Sequence, residues 1–415
     1  MRRSRPVAEP YLLVSVPAAL LVLLAALAAC GGRHSSAATQ EAGAPHAAAG
    51  KHKVLGQDRI IAFTYLREDP KQLRSLTFCA PTSPTDWQYW RSRGVIPAVG
   101  QTWFALLNPP ADVSKAAAHL ANLDYGGDPN PVVCIDEFGF DFGGETDQKS
   151  AQILEEAKHR KPELCLTVWQ MRGPIPEALA RAYRKVVDLV LLEAYVGDQA
   201  NYWWIATQVW AARRHGLLRK TIVALGLGTG GNPGERWATT NEELEQQLRF
   251  VRLVAPESPG VGFFAPGASP ELLARADELC GHFFEIPADG SGLPAELIEL
   301  HKTFSQRQAQ ATLVCSPLWV EPNRSKADPN VLVEPKTMRV CLLNLGNQDA
   351  KDVQASLANP VEAGGQVFAE GVAGVVPARS QAVAVLPVTG EWKVWKTWRL
   401  EVRAPRCEVL LFNWR

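Results

Sequence analysis

VVCIDEFGFDFGG, residues 132–144, drives four apolar residues into two adjacent acids, Asp136 and Glu137, with a third, Asp141, four residues further on. A short strand that is apolar on both faces belongs to a parallel sheet covered by helices. Carboxylates at the end of such a strand need a rim to sit on. The sequence on either side supplies one. PVVCIDEF (131–138) is followed by the helical DQKSAQILEEAKHR, LCLTVWQ (164–170) by PEALARAYRK, and VVDLVLLEAY (186–195) by NYWWIATQVWAARRHG. KTIVALGLG (220–228) then precedes TNEELEQQLRFVRLV, and GVGFFAPG (260–267) precedes SPELLARADELCGHF. Thr240 and Ser269 stand as helix caps with acids in the first turn.

These five units, preceded by RIIAFTY (59–65), LTFCAP (76–81) and GVIPAVG (94–100), make eight strands over residues 58–304. That span is close to the ~250 residues of an α/β (β/α)8 TIM barrel. An open doubly wound sheet would need a glycine fingerprint after its first strand, and IIAFTYLRED has none. Only about nine residues join the first two strands, too few for a full crossover helix. Either that helix is degenerate or an early strand is misassigned.

In a barrel the chemistry lies at the C-terminal ends of the strands, and those ends carry the acids. Asp136 and Glu137 end the fourth strand, Trp169 and Gln170 the fifth, Glu193 and Tyr195 the sixth, Tyr65 the first and Phe264 the eighth. Trp203, Trp204 and Trp237 follow strand ends closely. Two carboxylates across a cleft are the minimum for breaking a glycosidic bond, one protonated and one ionised. Glu137, beside Phe138 and Asp136, has the apolar surround and negative neighbour that raise a carboxyl pKa, and is the candidate acid. Glu193 is its candidate partner. Strict alternation lets only one of Asp136 and Glu137 aim inward unless the strand has already ended. Asp141 serves equally well as a cap for the next helix. Flat aromatic faces suit sugar rings, which makes Tyr195, Trp169, Tyr65, Trp203, Trp237 and Phe264, with Gln170, the candidate substrate-binding set; Trp210 is read as packing. GLGTGGNPGERW (226–237) is a glycine-rich loop offering Glu235, Arg236 and Trp237, weak as a phosphate site and better suited to covering a cleft.

The region 58–304 resembles the TIM-barrel glycoside hydrolases. Its Ile-Asp-Glu strand end is similar to the Asp-Glu pair of the β-hexosaminidases and, more loosely, to the DxDxE of chitinases, whose sixth strand also ends in tyrosine. The resemblance implies Glu137 as acid, with Asp136 and Tyr195 orienting a substrate acetamido group. The spacing from Asp136 to Asp141 is not that of DxDxE, and Asp136 stands where the larger Asn-Glu clan has asparagine.

MRRSRPVAEPYLLVSVPAALLVLLAALAACGG has the layout of a secretory signal, and LAAC resembles the bacterial lipobox, which implies lipidation at Cys30. Residues 31–57, rich in Ala, Gly and Ser, read as a flexible tether. A lipid-anchored, extracytoplasmic protein of the bacterial cell envelope is expected. The formal net charge is zero, and no basic face or arginine run lies beyond the N-terminus, so no nucleic-acid partner is expected. Seven scattered cysteines remain after Cys30, with no CxxC pair or zinc-spaced His cluster, so neither a disulfide framework, a metal nor a cofactor is expected. Cys134 with Cys165, or a pair among Cys315, Cys341 and Cys407, is left as a possible bridge. His119, His159, His215 and His282 read as surface or helix-end residues.

From about residue 305 to 415 the helical period stops, and short alternating strands bounded by Pro, Gly and Asn indicate an antiparallel β-sandwich. VCLLNLGNQDAKDVQASL resembles the CARDB and fibronectin-like modules of bacterial surface enzymes, in which Asn-Leu-Gly-Asn joins two strands. Trp392, Trp395 and Trp398 read as interface packing. The expected function is a membrane-anchored glycoside hydrolase with a carbohydrate substrate. The alternative is a non-catalytic glycan- or partner-binding lipoprotein on the same barrel.

Overall fold

The computed structural model of the protein describes residues 59–66, 70–102, 112–138, 145–170, 175–196, 199, 202–229, 237–307, 310–320, 331–332, 336–358, 367–388, 392–393 and 399–411. Its first part is a ring of parallel strands: β1 (Ile60–Thr64), β2 (Phe78–Ala80), β3, β4 (Val132–Phe138), β5 (Cys165–Gln170), β6 (Leu189–Glu193), β7 (Thr221–Gly228) and β8 (Gly260–Gly267). β3 runs in two segments, Ile96–Pro97 and Val99–Thr102, on either side of Ala98. The first segment pairs with β2 and the second with β4, so one bent strand forms both edges of the sheet and closes it. Closure leaves no exposed sheet edge to protect.

Helices α1 (Trp87–Ser92), α2 (Val113–Ala121), α3 (Glu145–Arg160), α4 (Glu177–Val186), α5 (Tyr202–Arg214), α6 (Asn241–Val254) and α7 (Pro270–Gly281) follow β2 to β8 in turn, and α8 (Ala295–Arg307) ends this part. Between β1 and β2 the described chain has a single 3-10 turn, Pro70–Gln72, which resolves the short link as a degenerate crossover. Asp277 of α7 takes over part of that helix's work. Its carboxylate accepts from the backbone N–H groups of Arg74 (2.9 Å) and Ser75 (2.8 Å) and from the Ser75 hydroxyl (2.6 Å), tying the link to the helical layer. Thr240 and Ser269 cap α6 and α7 as expected, Thr240 in a full capping box with Glu243. No described helix is long and apolar enough to cross a membrane.

Alternation sorts the strand side chains into two apolar clusters. Ile60, Phe78, Val132, Cys134, Leu189 and Ile222 fill the barrel interior. Val133, Ile135, Val168, Leu192 and Phe263 face outward into the helical layer. All seven cysteines after Cys30 are free thiols, so the possible bridges do not form.

The C-terminal part is all β. Strands β9 (Thr312–Val320), β11 (Lys336–Asn344), β14 (Gln381–Val388) and β17 (Glu408–Leu411) form one sheet in the order 14-11-9-17. Strands β12 (Ala350–Ala358), β13 (Val367–Val376) and β16 (Arg399–Arg403) form a second, ordered 13-12-16, and β10 (Val331–Leu332) pairs with β15 (Trp392–Lys393). The pairing is antiparallel apart from β9 with β17, which is parallel. Asn344 explains the Asn-Leu-Gly-Asn turn between β11 and β12. Fully buried, its side chain accepts from Gly346 N–H (2.9 Å) and donates to the carbonyls of Gln348 (2.8 Å) and Val376 (3.0 Å). Gly346 passes so close to the chain that an added Cβ would lie 1.5 Å from the Gln310 carbonyl oxygen. Val314, Leu343 and Leu345 belong to the same apolar cluster as the barrel helices, and Arg214 of α5 donates to the Arg379 carbonyl (3.3 Å).

Candidate active site

The decisive feature is a β-bulge. Ile135 pairs with Val168, but the next pair is Phe138 with Gln170, so three steps along β4 match two along β5. The extra residue is accommodated where Glu137 takes a left-handed backbone, φ +59°. Such a conformation costs a non-glycine residue roughly 1–2 kcal/mol. Ile135 and Phe138 both pack outward, so Asp136 and Glu137 lie together between two outward-facing residues. The bulge therefore removes the restriction that only one of the pair can reach the mouth.

Asp136 continues the inward series of Val132 and Cys134 and is half-buried. Its Oδ1 accepts from the Glu137 backbone N–H at 3.0 Å, and the Tyr65 hydroxyl donates to its carboxylate. Burial pushes its pKa up from 3.8 to about 6, against the downward pull of these two hydrogen bonds. Tyr65, at the end of β1, is itself left-handed (φ +52°). Burial first, and then the negative charge of Asp136, hold its phenol pKa well above the usual value, so the hydroxyl stays a donor.

Glu193 ends β6 and is buried, 6% exposed. Its neighbours at two residues' distance, Leu191 and Tyr195, both belong to the interior cluster, whereas Leu192 and Ala194 face the helices. Asp136 and Glu193 thus face the C-terminal mouth of one ring, with Glu137 beside Asp136 in the bulge.

Around them the aromatic side chains pack on one another. Tyr195 stacks on Phe264 (5.5 Å) and meets Trp237 (5.5 Å) and Trp169 (6.5 Å) at tilted angles, while Tyr65 sets its edge against Phe264 (5.4 Å). Trp237 reaches this cluster because Gly226 leaves room for it: a Cβ there would lie 2.6 Å from the indole ring. Trp169, Tyr195 and Trp237 are only 2%, 8% and 5% exposed, so they form a floor rather than open platforms. Gln170 lies on the other parity of β5. It is buried in the helical layer, where its side-chain oxygen accepts from the Tyr183 hydroxyl, and it is not brought to the mouth. Trp203, on α5, packs against the outer cluster and edge-on to Trp204 (5.9 Å), also away from the mouth. Trp210 packs on the same layer.

His215 stands at the end of α5, as one of the two readings expects, but is not on the surface. It is 6% exposed, bonded to the Ile175 carbonyl (3.0 Å), and burial pushes its pKa down to about 4, so it is a neutral packing group. A cavity of about 690 Å³ lies on the outer face between α2, α3 and α4, lined by Glu155, Lys158, His159 and Lys185, remote from the strand ends. Among the described residues no three His, Cys, Asp or Glu side chains gather as a metal site. Cys30, Asp141, Glu235, Arg236, Trp395 and Trp398 lie outside the described residues, as do residues 31–57.

No protein-family model matches the chain, and no curated protein matches it. Solved structures similar to it include a chitinase from Bacillus thuringiensis, 8% identical over 77% of this chain and 82% of that one, TM-score 0.33. A family 51 α-L-arabinofuranosidase from Bifidobacterium longum is 11% identical over 80% and 96%, TM-score 0.35. A family GH18 chitinase from Chromobacterium violaceum is 10% identical over 85% and 90%, TM-score 0.35. With superposition scores this low, these likenesses carry no weight for function.

Proposed function

We propose that the chain is a glycoside hydrolase that cleaves an extracytoplasmic polysaccharide or glycan by carboxylic general-acid catalysis. The observation that supports this best is the bulge at Asp136 and Glu137, where two adjacent carboxyls, one of them with a pKa raised to about 6, meet at the mouth that also holds Glu193. Glu137 gives its proton to the glycosidic oxygen as the bond to the anomeric carbon breaks, and the leaving sugar departs as an alcohol. Glu193, ionised, attacks that carbon or takes a proton from the water that does. Asp136, ionised above about pH 6, adds negative charge beside the proposed acid. Lipid on Cys30 and the tether 31–57 would hold the barrel at the envelope surface, and the sandwich would act as a spacer or docking module.

The competing reading is a non-catalytic glycan- or partner-binding lipoprotein. It draws on the burial of Trp169, Tyr195 and Trp237, whose ring faces are occupied by one another. Incubation with chitin, peptidoglycan, xylan and cellulose, read as new reducing ends, separates the two. The hydrolase reading expects turnover of at least one polymer by the wild type and a 10²–10⁴-fold loss in Glu137→Gln with the fold intact. Binding without reducing ends, unchanged in that variant, would favour the binder.

A further inference from the structure

We infer that Tyr183 of α4 is a positioning residue: it clamps the last pair of the β4–β5 ladder and so holds the bulge that sets Asp136 and Glu137 side by side. The bulge has little ladder to secure it on its far side. β4 ends at Phe138 and β5 at Gln170, and these two residues are the single pair that follows the irregular step. A strand without the bulge is the competing register. Glu137 would then pair with Gln170 and take the outward place among buried apolar side chains, and Phe138 would turn into the ring. Whatever keeps Phe138 outward therefore keeps the two carboxyls together.

Tyr183 meets both members of that pair. Its ring lies 6.2 Å from the Phe138 ring, tilted by 51°, and its hydroxyl donates to the Gln170 side-chain oxygen. All three side chains are buried, and Phe138 and Tyr183 belong to the outer apolar cluster. Burial, and then the negative charge of Asp147 in the first turn of α3, hold the Tyr183 phenol well above its usual pKa, so its hydroxyl remains a donor. A buried bond of this kind is costly to leave unmade, so it fixes the phenol ring, and the ring in turn backs Phe138. Tyr183 acts on the bulge through these two residues. The consequence for catalysis rests on the reading that Glu137 is the acid; the clamp itself does not.

The test compares Tyr183→Phe, which keeps the ring and removes only the hydroxyl, with the wild type, both as the intact chain. Amide hydrogen exchange read by mass spectrometry is expected to quicken about tenfold in peptides covering the ends of β4 and β5, and to stay unchanged in those covering β7 and β8. Turnover should fall about tenfold on whichever of the four polymers is cleaved, and hardly at all on the 2,4-dinitrophenyl glycoside of the same sugar, whose leaving group needs no proton. A residue that merely stabilises the fold would alter exchange throughout and would affect both substrates alike. Unchanged exchange at the two strand ends, or a rise shared by the whole barrel, overturns the proposal, as do equal losses on the two substrates. Quickened exchange confined to the strand ends, in a chain that cleaves none of the polymers, upholds the clamp and sinks the hydrolase reading instead. Should Tyr183→Phe fail to fold, Phe138→Leu, which withdraws the other ring of the contact, is read by the same peptides and substrates, with the same outcomes expected and excluded.

Discussion

The two rims of the barrel both carry charge, and they use it in opposite ways. At the N-terminal rim Asp188, just before β6, accepts from the Leu166 N–H (2.9 Å) and faces Lys158 (3.5 Å), whose ammonium also donates to the Leu164 carbonyl (2.6 Å). Lys220, just before β7, donates to the carbonyls of Tyr183 (2.9 Å) and Val187 (2.7 Å). These groups staple strand starts to helix ends. At the C-terminal rim Asp136 is held by a phenol and a backbone N–H, its pKa is raised to about 6, and the residues beside it are left-handed. One rim is neutralised and relaxed; the other holds a charge that burial disfavours. Stability belongs to the first, and the second retains backbone strain.

That contrast predicts different losses at the two rims. The largest effect should come from Glu193→Gln, which is expected to lower turnover by about 10²–10⁴-fold while leaving the unfolding midpoint nearly unchanged. Asp188→Ala should do the reverse. It leaves the Leu166 N–H without its acceptor and Lys158 with the Leu164 carbonyl alone, costing about 2 kcal/mol in denaturant unfolding with turnover per folded molecule retained. Next comes Asp136→Asn. A carboxyl whose folded pKa is raised binds its proton more tightly in the native state, so its contribution to stability is present below pH 3.8 and is lost as pH rises through about 6. The neutral amide should therefore stabilise the fold at pH 7 by up to about 2 kcal/mol, and the gain should vanish near pH 4. Equal midpoints at both pH values would contradict the raised pKa. The smallest change in stability is expected of Glu137→Gly, which relieves the left-handed backbone and should gain about 1 kcal/mol in denaturant unfolding.

Much of the fold is legible in the sequence because each barrel strand is buried on both faces and each helix is capped. Runs such as VVCI and LVLL, and caps such as Thr240, declare themselves locally. The closure through β3 does not, since Ala98 bends a strand whose two halves pair with partners on opposite sides. Nor is the bulge visible in IDEF alone: it exists only in the register with Val168 and Gln170, thirty residues away along the chain. The outward direction of Gln170 follows from alternation, because Trp169 facing inward obliges its neighbour to face out. The sequence places Tyr65 on the rim, but its bond to Asp136 depends on a left-handed turn that no local signal gives for tyrosine. In the sandwich the parallel pairing of β9 with β17 joins segments about a hundred residues apart, beyond the reach of alternation patterns.

The central claim is that Glu137 protonates a leaving oxygen. The most direct measurement compares Glu137→Gln with the wild type on two substrates of one sugar, the polymer it cleaves and an aryl glycoside whose leaving group needs no proton, such as the 2,4-dinitrophenyl glycoside. General-acid catalysis predicts a loss of about 10²–10⁴-fold on the polymer and nearly full activity on the activated glycoside. Equal losses on both, or none on the polymer, would contradict it.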